Sequence, residues 1–342
     1  MASNKPIIIT DPFPRTMDIL FSKDNLKYLK KNFNLIKAPK VNKKKFYKEN
    51  LPNAHYIFGQ PDLPTDLIQK QTKLRAVFNV ESNFMDNMDY DYCFENNIHV
   101  LATSPVFAQP VAEMALGLTL SIARSIHIAH SDFIKGKEKY GGEISKNNFL
   151  IKNKKIGLLG FGDLAKSLVP LLRPFTDEIM AYDPWVPDLE IKKNNVKPSN
   201  LKNLLSSSEI IYVLATITSS NQGMINKKML HNIKDNTVFV LMSRAAIINF
   251  EDFYKFLKTR KVFAAIDVFP IEPVPKNHKI RKLTNVIFSP HRAGALDSAF
   301  IEMGDIVLED LKLINKGLPP RLCKKAIKET VGHLRSKPVD IN

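Results

Sequence analysis

The chain has 342 residues, 44% hydrophobic and 25% charged, which is enough for two ordinary domain cores and excludes a disordered or fibrous class. Its 2 cysteines, Cys93 and Cys323, are too few for a disulfide framework, lack metal-ligand spacing and point to a reducing compartment. The net charge of +16 raises nucleic-acid binding, but the excess is lysine scattered beside asparagine, as in "NKKKFYKEN" and "IKKNNVK". It reads as solvated surface, with no nucleic-acid partner expected.

The opening "MASNKPIIITDPFPR" does not read as a secretory leader; its isoleucines followed by Asp and prolines read as a first strand. "HYIFG", "LRAVFNV" and "IHVLAT" continue a series of short β-branched runs, with helices expected around Ser22–Asn32, Thr65–Gln71 and Asp86–Asn96. A long apolar helical pattern then runs from Pro105 to about Gly136. Its most apolar part, Val111–Ala123, holds Glu113 and stops at Arg124, so it is expected to be too short for a bilayer. No membrane partner and a cytoplasmic location are therefore expected. After residue 150 a second series appears: "KIGLLG", "EIMAYD", "EIIYVLA", "TVFVLMS", "VFAAIDV" and "NVIFSP". A last helix is expected from Ala295 to about Lys316, closed by Gly317 and Pro319.

Two series of strands alternating with helices predict an α/β chain with two doubly wound parallel-sheet domains. The two long helical patterns are placed at the crossings, so the tail returns to the first domain. The expected boundaries are 1–104 with 297–342 for a substrate domain, and 105–296 for a nucleotide-binding domain.

"KIGLLGFGDLAKSL" sets Gly160-Phe161-Gly162 between a strand and a helix. The first glycine permits the tight turn, and the second lets a pyrophosphate approach the backbone at the positive end of the following helix. Ala165 stands in the third position, a tolerated variant. The next strand ends in "AYDPW", placing Asp183 where an acid accepts hydrogen bonds from an adenosine ribose and repels a 2′-phosphate; NAD is expected over NADP.

Reduction of a 2-oxo acid needs a cation for the carboxylate, an acid for the nascent alkoxide, and a group that keeps that acid charged. The ends of the later strands offer these types: Arg244 in "SRAAIIN", Asp267 and Glu272 in "DVFPIEP", and His291 in "SPHRAGA". An arginine fork grips a carboxylate in two places, and an imidazole titrates near neutral pH.

With these motifs in this order the chain resembles the D-isomer-specific 2-hydroxyacid dehydrogenases over nearly its whole length. "DNMDYDYCFENNIHVLATSP" and "VAEMALGLTLSIAR" resemble the segments leading into their cofactor domain. The resemblance implies a Rossmann NAD domain inserted into a flavodoxin-like substrate domain, with no metal. It implies that Arg244 anchors substrate, His291 is the acid/base, Glu272 is its partner and Asp267 faces the nicotinamide carboxamide. Phe161, Asp163, Leu164, Thr216 and Ser243 are implied along the cofactor with Gly160, Gly162 and Asp183. It further implies a homodimer through the apolar helix, and a glyoxylate- or hydroxypyruvate-like 2-oxo acid as substrate. An NAD(H)-binding corepressor or sensor is the alternative.

The chain departs from the family where glycine amides usually meet the substrate carboxylate, since "NVESNFMDNMD" puts Ser82, Asn83 and Phe84 there. Phe84 is expected to narrow the pocket. Arg15 and Arg292 are candidates for gripping a second anionic group on the substrate.

Overall fold

The computed structural model describes residues 5–69, 73–80, 84–141 and 148–334. The chain forms two compact units, Met1–Phe107 with Leu296–Asn342, and Ala108–Ala295.

The first unit opens on strand β1 (Ile7–Asp11), followed by β2 (Asn34–Lys37), β3 (Tyr56–Gly59), β4 (Ala76–Asn79) and β5 (His99–Ala102). The second unit carries β6 (Ile156–Leu159), β7 (Ile179–Tyr182), β8 (Lys197–Pro198), β9 (Ile210–Val213), β10 (Val238–Leu241), β11 (Phe263–Ile266) and β12 (Val286–Phe288). The chain then returns to the first unit with β13 (Lys324–Lys325).

The first sheet runs β13-β5-β4-β3-β1-β2, parallel except for β13, which pairs antiparallel with β5 at Lys324↔Ala102. Its inner strands β1, β3 and β4 are buried on both faces, which is why they read as unbroken apolar runs such as "IIIT" and "YIFG". Phe58 knits one face together, lying 5.6 Å from Phe21 and 5.4 Å from Phe78 between ring centroids. Against that face packs the helix Asp297–Asn315, whose Met303, Val307 and Leu311 are fully buried. A Cβ at Gly304 in this helix would lie 1.9 Å from the Leu20 carbonyl oxygen.

Sequence reading missed β2, a short edge strand, and misread "NKKKFYKEN". That run holds the helix Lys43–Asn50, whose Tyr47 is buried and whose Lys43 ammonium binds the Asp11 carboxylate at 2.7 Å. Here a lysine taken for surface neutralises a buried acid. The helix at Ser22–Asn32 is observed as Lys23–Asn32, with the Ser22 hydroxyl accepting from the Asn25 amide. The expected Asp86–Asn96 helix shortens to Tyr90–Glu95, because Asp89 caps it by accepting from the Tyr92 amide at 2.9 Å. The expected Thr65–Gln71 helix is seen as Thr65–Ile68, and Gln71 lies outside the described residues.

The second sheet is wholly parallel, in the order β12-β11-β10-β9-β6-β7-β8. Strand succession reverses direction between β6 and β9, so a crevice opens beyond their carboxyl ends. The pattern expected as one helix from Pro105 to Gly136 is broken. A helix Ala108–Ala123 ends where Ser125 takes the left-handed φ of 51°, and a second helix follows at Ile126–Ile134. The helical run Ser104–Ala123 is long and apolar enough to cross a membrane, contrary to the expectation from sequence. It packs on the helix Asp163–Leu172 and on β10 and β11, and its small side chains Ala108, Ala112 and Ala115 are buried. That is the pattern of a core helix.

Candidate functional site

All the strand-end residues singled out after residue 150 emerge on one side of the second sheet, because its strands are parallel. Gly160 follows β6 with φ at +95°, and a Cβ there would lie 2.5 Å from the Ala215 backbone beyond β9. Only glycine meets both demands. Phe161 is fully buried and anchors the turn, whereas Gly162 is exposed and a Cβ there would meet nothing within 4 Å. Gly162 caps the helix Asp163–Leu172, so its first amides face an open surface, with Asp163 and Leu164 half-buried in the first turn.

Asp183 follows β7 and is bonded to this turn. Its Oδ2 accepts from the Phe161 amide at 2.8 Å and its Oδ1 from the Trp185 amide at 2.9 Å. Each carboxylate oxygen has a further lone pair, so ribose hydroxyls can still be accepted. Thr216 lies in the loop after β9, which Asn221 closes by donating to the Thr216 carbonyl at 2.8 Å. Ser243, after β10, is 5% exposed, and its buried hydroxyl has no hydrogen-bond partner among the described residues. An orphaned hydroxyl costs free energy that a ligand group would recover. The open glycine turn, the ribose-side acid and this hydroxyl together fit a dinucleotide.

The residues with chemical potential come together beside that crevice. The Nδ1 of His291 lies 2.7 Å from Oε2 of Glu272, whose Oε1 accepts from the Phe269 amide at 2.8 Å. Burial alone would raise the Glu272 carboxyl; the His291 hydrogen bond, the Phe269 amide and the Arg244 charge outweigh it and hold it below the usual carboxylate range. At neutral pH Glu272 is therefore an acceptor only, so Nδ1 carries a proton and Nε2 is the nitrogen left for chemistry. Arg244 stands in extended conformation after β10, with one terminal nitrogen donating to the Ser243 carbonyl at 2.8 Å.

Asp267 ends β11 and is 1% exposed. Its carboxylate accepts from the Ser289 hydroxyl, from the Arg292 amide at 2.9 Å and from the Ala293 amide at 3.3 Å. Its main-chain oxygen accepts from the His291 amide at 2.7 Å. Sequence reading missed Ser289; a hydroxyl two residues before His291, at the end of a strand beside β11, was the available signal.

In the first unit, Phe84 is 2% exposed and packed edge-on to Tyr90 in the apolar core, so it is a core residue and not the pocket wall expected. Glu81, Ser82 and Asn83 lie outside the described residues. Arg15 donates to the Val80 carbonyl at 3.1 Å and sits 5.0 Å from the Phe300 ring centroid. Arg292 belongs to the second unit and is exposed. Among the described residues no cluster of His, Cys, Asp or Glu could hold a metal ion.

Residues 116–293 match the model of the D-isomer specific 2-hydroxyacid dehydrogenase, NAD binding domain. A crystal structure of a phosphoglycerate oxidoreductase from Rhizobium etli superposes with a TM-score of 0.85 at 40% identity, covering 95% of this chain and 100% of that one. A glyoxylate reductase of Thermofilum pendens is 30% identical over 248 residues, 71% of this chain and 73% of the relative. A hydroxypyruvate reductase of Thermotoga maritima is 31% identical over 230 residues, 66% of this chain and 73% of the relative.

Proposed function

Because the chain belongs to the D-isomer specific 2-hydroxyacid dehydrogenase family, an NAD-dependent oxidoreductase family, we propose that it reduces a small 2-oxo acid to the D-2-hydroxy acid. The observation that carries this reading is the His291–Glu272 pair at 2.7 Å under the charge of Arg244.

Gly160–Leu164, Asp183, Thr216 and Ser243 would hold NAD, whose reduced form would supply the hydride. Arg244 binds the substrate carboxylate with its guanidinium fork and polarises the adjacent carbonyl. As charge builds on that oxygen, His291 delivers a proton from Nε2. Glu272 holds Nδ1 and orients the ring for transfer. The reverse reaction uses the same groups, with Nε2 taking the hydroxyl proton. This assembled set supports turnover over a corepressor or sensor role.

Glyoxylate and hydroxypyruvate are the substrates that the named relatives favour, and the Rhizobium etli relative adds phosphoglycerate. The test is cofactor oxidation or reduction against a panel holding all three, with NAD(H) and NADP(H) in parallel. Turnover of a 2-oxo acid with NADH, lost in His291→Ala, supports the reading. An inactive wild type that binds NADH overturns it.

The protein further reads as a cytoplasmic homodimer with small anionic substrates as its partners, without nucleic acid or membrane. Both cysteines are free and buried, in keeping with a reducing compartment. The helix Ile126–Ile134 buries none of its residues and exposes Ile126, Ile128, Phe133 and Ile134 to between 43% and 70%. An apolar face of this kind supports a second subunit as its cover. Ile134→Glu should give a monomeric mass by light scattering; an unchanged mass would remove this surface from the interface.

A further inference from the structure

We propose that the second unit holds an anion site at the end of its sheet opposite the cofactor crevice, suited to a small molecule that carries a diphosphate or triphosphate.

The site is a cavity of about 560 Å³ at the amino ends of β6, β9, β10 and β11. That volume lies in the range of ordinary small-molecule pockets. Strand register puts Lys155, Glu209, Thr237 and Val262 in one row, each one residue ahead of the paired Ile156, Ile210, Val238 and Phe263. Three strand spacings of about 4.8 Å separate the ends of the row, which therefore spans about 14 Å. Lysine side chains entering from both ends, Lys155 beside β6 and Lys261 beside β11, can grip one extended anion between them.

Four lysines line the cavity, Lys154, Lys155, Lys234 and Lys261, against two acids, Glu209 and Asp235. Both acids are already engaged. Glu209 accepts from the Lys154 ammonium at 2.7 Å and from the Lys155 amide at 3.1 Å, and Asp235 accepts from the Arg260 Nε at 2.9 Å. Lys234 donates to the Ser207 carbonyl at 3.4 Å, where a cation suits the carboxyl end of the helix Leu201–Ser207. Lys155 and Lys261 are left with no acidic partner among the described residues. Burial alone would raise the Glu209 carboxyl, yet the Lys154 and Lys155 hydrogen bonds and the charges of Lys154 and Lys234 hold it below the usual carboxylate range. Positive charge thus prevails in this cavity. Like charges brought together from three separate loops repel, and an anion with two or more charges removes that cost.

A second observation points the same way. Thr237 lies in the middle of the row, is 1% exposed, and its buried hydroxyl has no hydrogen-bond partner among the described residues. An orphaned donor beside surplus ammonium groups fits a phosphate oxygen as its missing acceptor. Phe149, with the Lys154 ammonium 5.9 Å from its ring centroid, adds an apolar wall for the organic part of the ligand.

Inorganic pyrophosphate and ATP, titrated calorimetrically into the full-length protein, test this. Gly162→Asp serves as the background, because it puts a negative charge on the cofactor turn where a Cβ would meet nothing within 4 Å. This variant should still bind one pyrophosphate per chain. Adding Lys155→Ala with Lys261→Ala should weaken that binding by about 100-fold, and adding Thr237→Val should weaken it by about tenfold. Thr237→Val should melt no lower than its parent, since the hydroxyl it removes has no partner to lose. In the otherwise wild-type protein the two lysine substitutions should leave the Kd for NADH within about twofold, because they act at the other end of the sheet. Tighter binding of ATP than of pyrophosphate supports a nucleotide-like ligand, and equal or weaker binding supports recognition of the phosphates alone. The site is overturned if Gly162→Asp abolishes pyrophosphate binding, or if the lysine and threonine substitutions leave that binding unchanged. None of these measurements depends on turnover, so the site and the proposed reaction fail separately.

Discussion

Asp310 in the first unit and Asp267 in the second are buried carboxylates that receive successive backbone amides. Asp310 is 0% exposed and takes the amides of Arg321, Leu322 and Cys323, at 2.7 Å from the first and last. Asp267 takes those of Arg292 and Ala293 with the Ser289 hydroxyl. The difference lies in what each ring of donors leads to. Beyond Cys323 the chain enters β13 and pairs with β5, so Asp310 ties the returning tail to the first sheet. Beside Arg292 stands His291, so Asp267 anchors the backbone of the proposed proton donor. The same local chemistry therefore ties down a returning tail in one unit and the segment of the proposed proton donor in the other.

That contrast can be broken from either side. His291→Ala should lower turnover by about a thousandfold while leaving the melting temperature near wild type, as general acid–base groups contribute rate and this ring is partly exposed. Asp310→Ala should do the opposite. It strands three amides, that of Cys323 buried, and should reduce unfolding free energy by about 3 kcal/mol in urea titration, with kcat per folded molecule retained. If Asp310→Ala instead lowers kcat at unchanged stability, the two carboxylates do not differ as argued.

Glu272→Gln gives a smaller effect with a pH signature. The carboxyl is held below its usual range in the folded chain, so the stability of its pair is complete above the unfolded value of about 4.3 and fades as pH falls through the folded value. Glu272→Gln should abolish that acid-side dependence in unfolding measurements and lower kcat by about tenfold at neutral pH. A pH dependence identical to wild type would place the titrating group elsewhere. The smallest effect is expected at Asp183, where Asp183→Ala should narrow the preference for NADH over NADPH by about tenfold in kcat/KM. An unchanged ratio would remove Asp183 from the ribose.

Much of the second unit was legible because its chemistry is local in sequence. Gly160, Asp183, Arg244, Glu272 and His291 each follow a strand within a few residues, and a parallel sheet brings all its strand ends to one side. Alternation of apolar runs and helices likewise gave both sheets. What escaped depends on partners far along the chain. Lys43 looked like one more surface lysine until Asp11 was seen beneath it at 2.7 Å. Phe84 looked like a pocket residue because its neighbours in sequence suggested one, whereas it is buried edge-on to Tyr90 in the core cluster that also holds Leu63, Val77 and Met88. Ser289 was invisible because a hydroxyl reveals its role only through its acceptor, Asp267. The break at Ser125 was hidden inside an apolar periodicity that continues past it.

The approach of Gly304 to the Leu20 carbonyl has a consequence for how this chain can vary. Even a methyl group would sit 1.9 Å from that oxygen, so alanine, the mildest of replacements in a helix, is barred by backbone and not by a movable side chain. Among descendants of this sequence, position 304 is frozen although it carries no reactive group, whereas exposed positions nearby on the same helix are free to drift. Invariance there would record the closeness of two main chains, and reading it as a mark of catalysis would be a mistake.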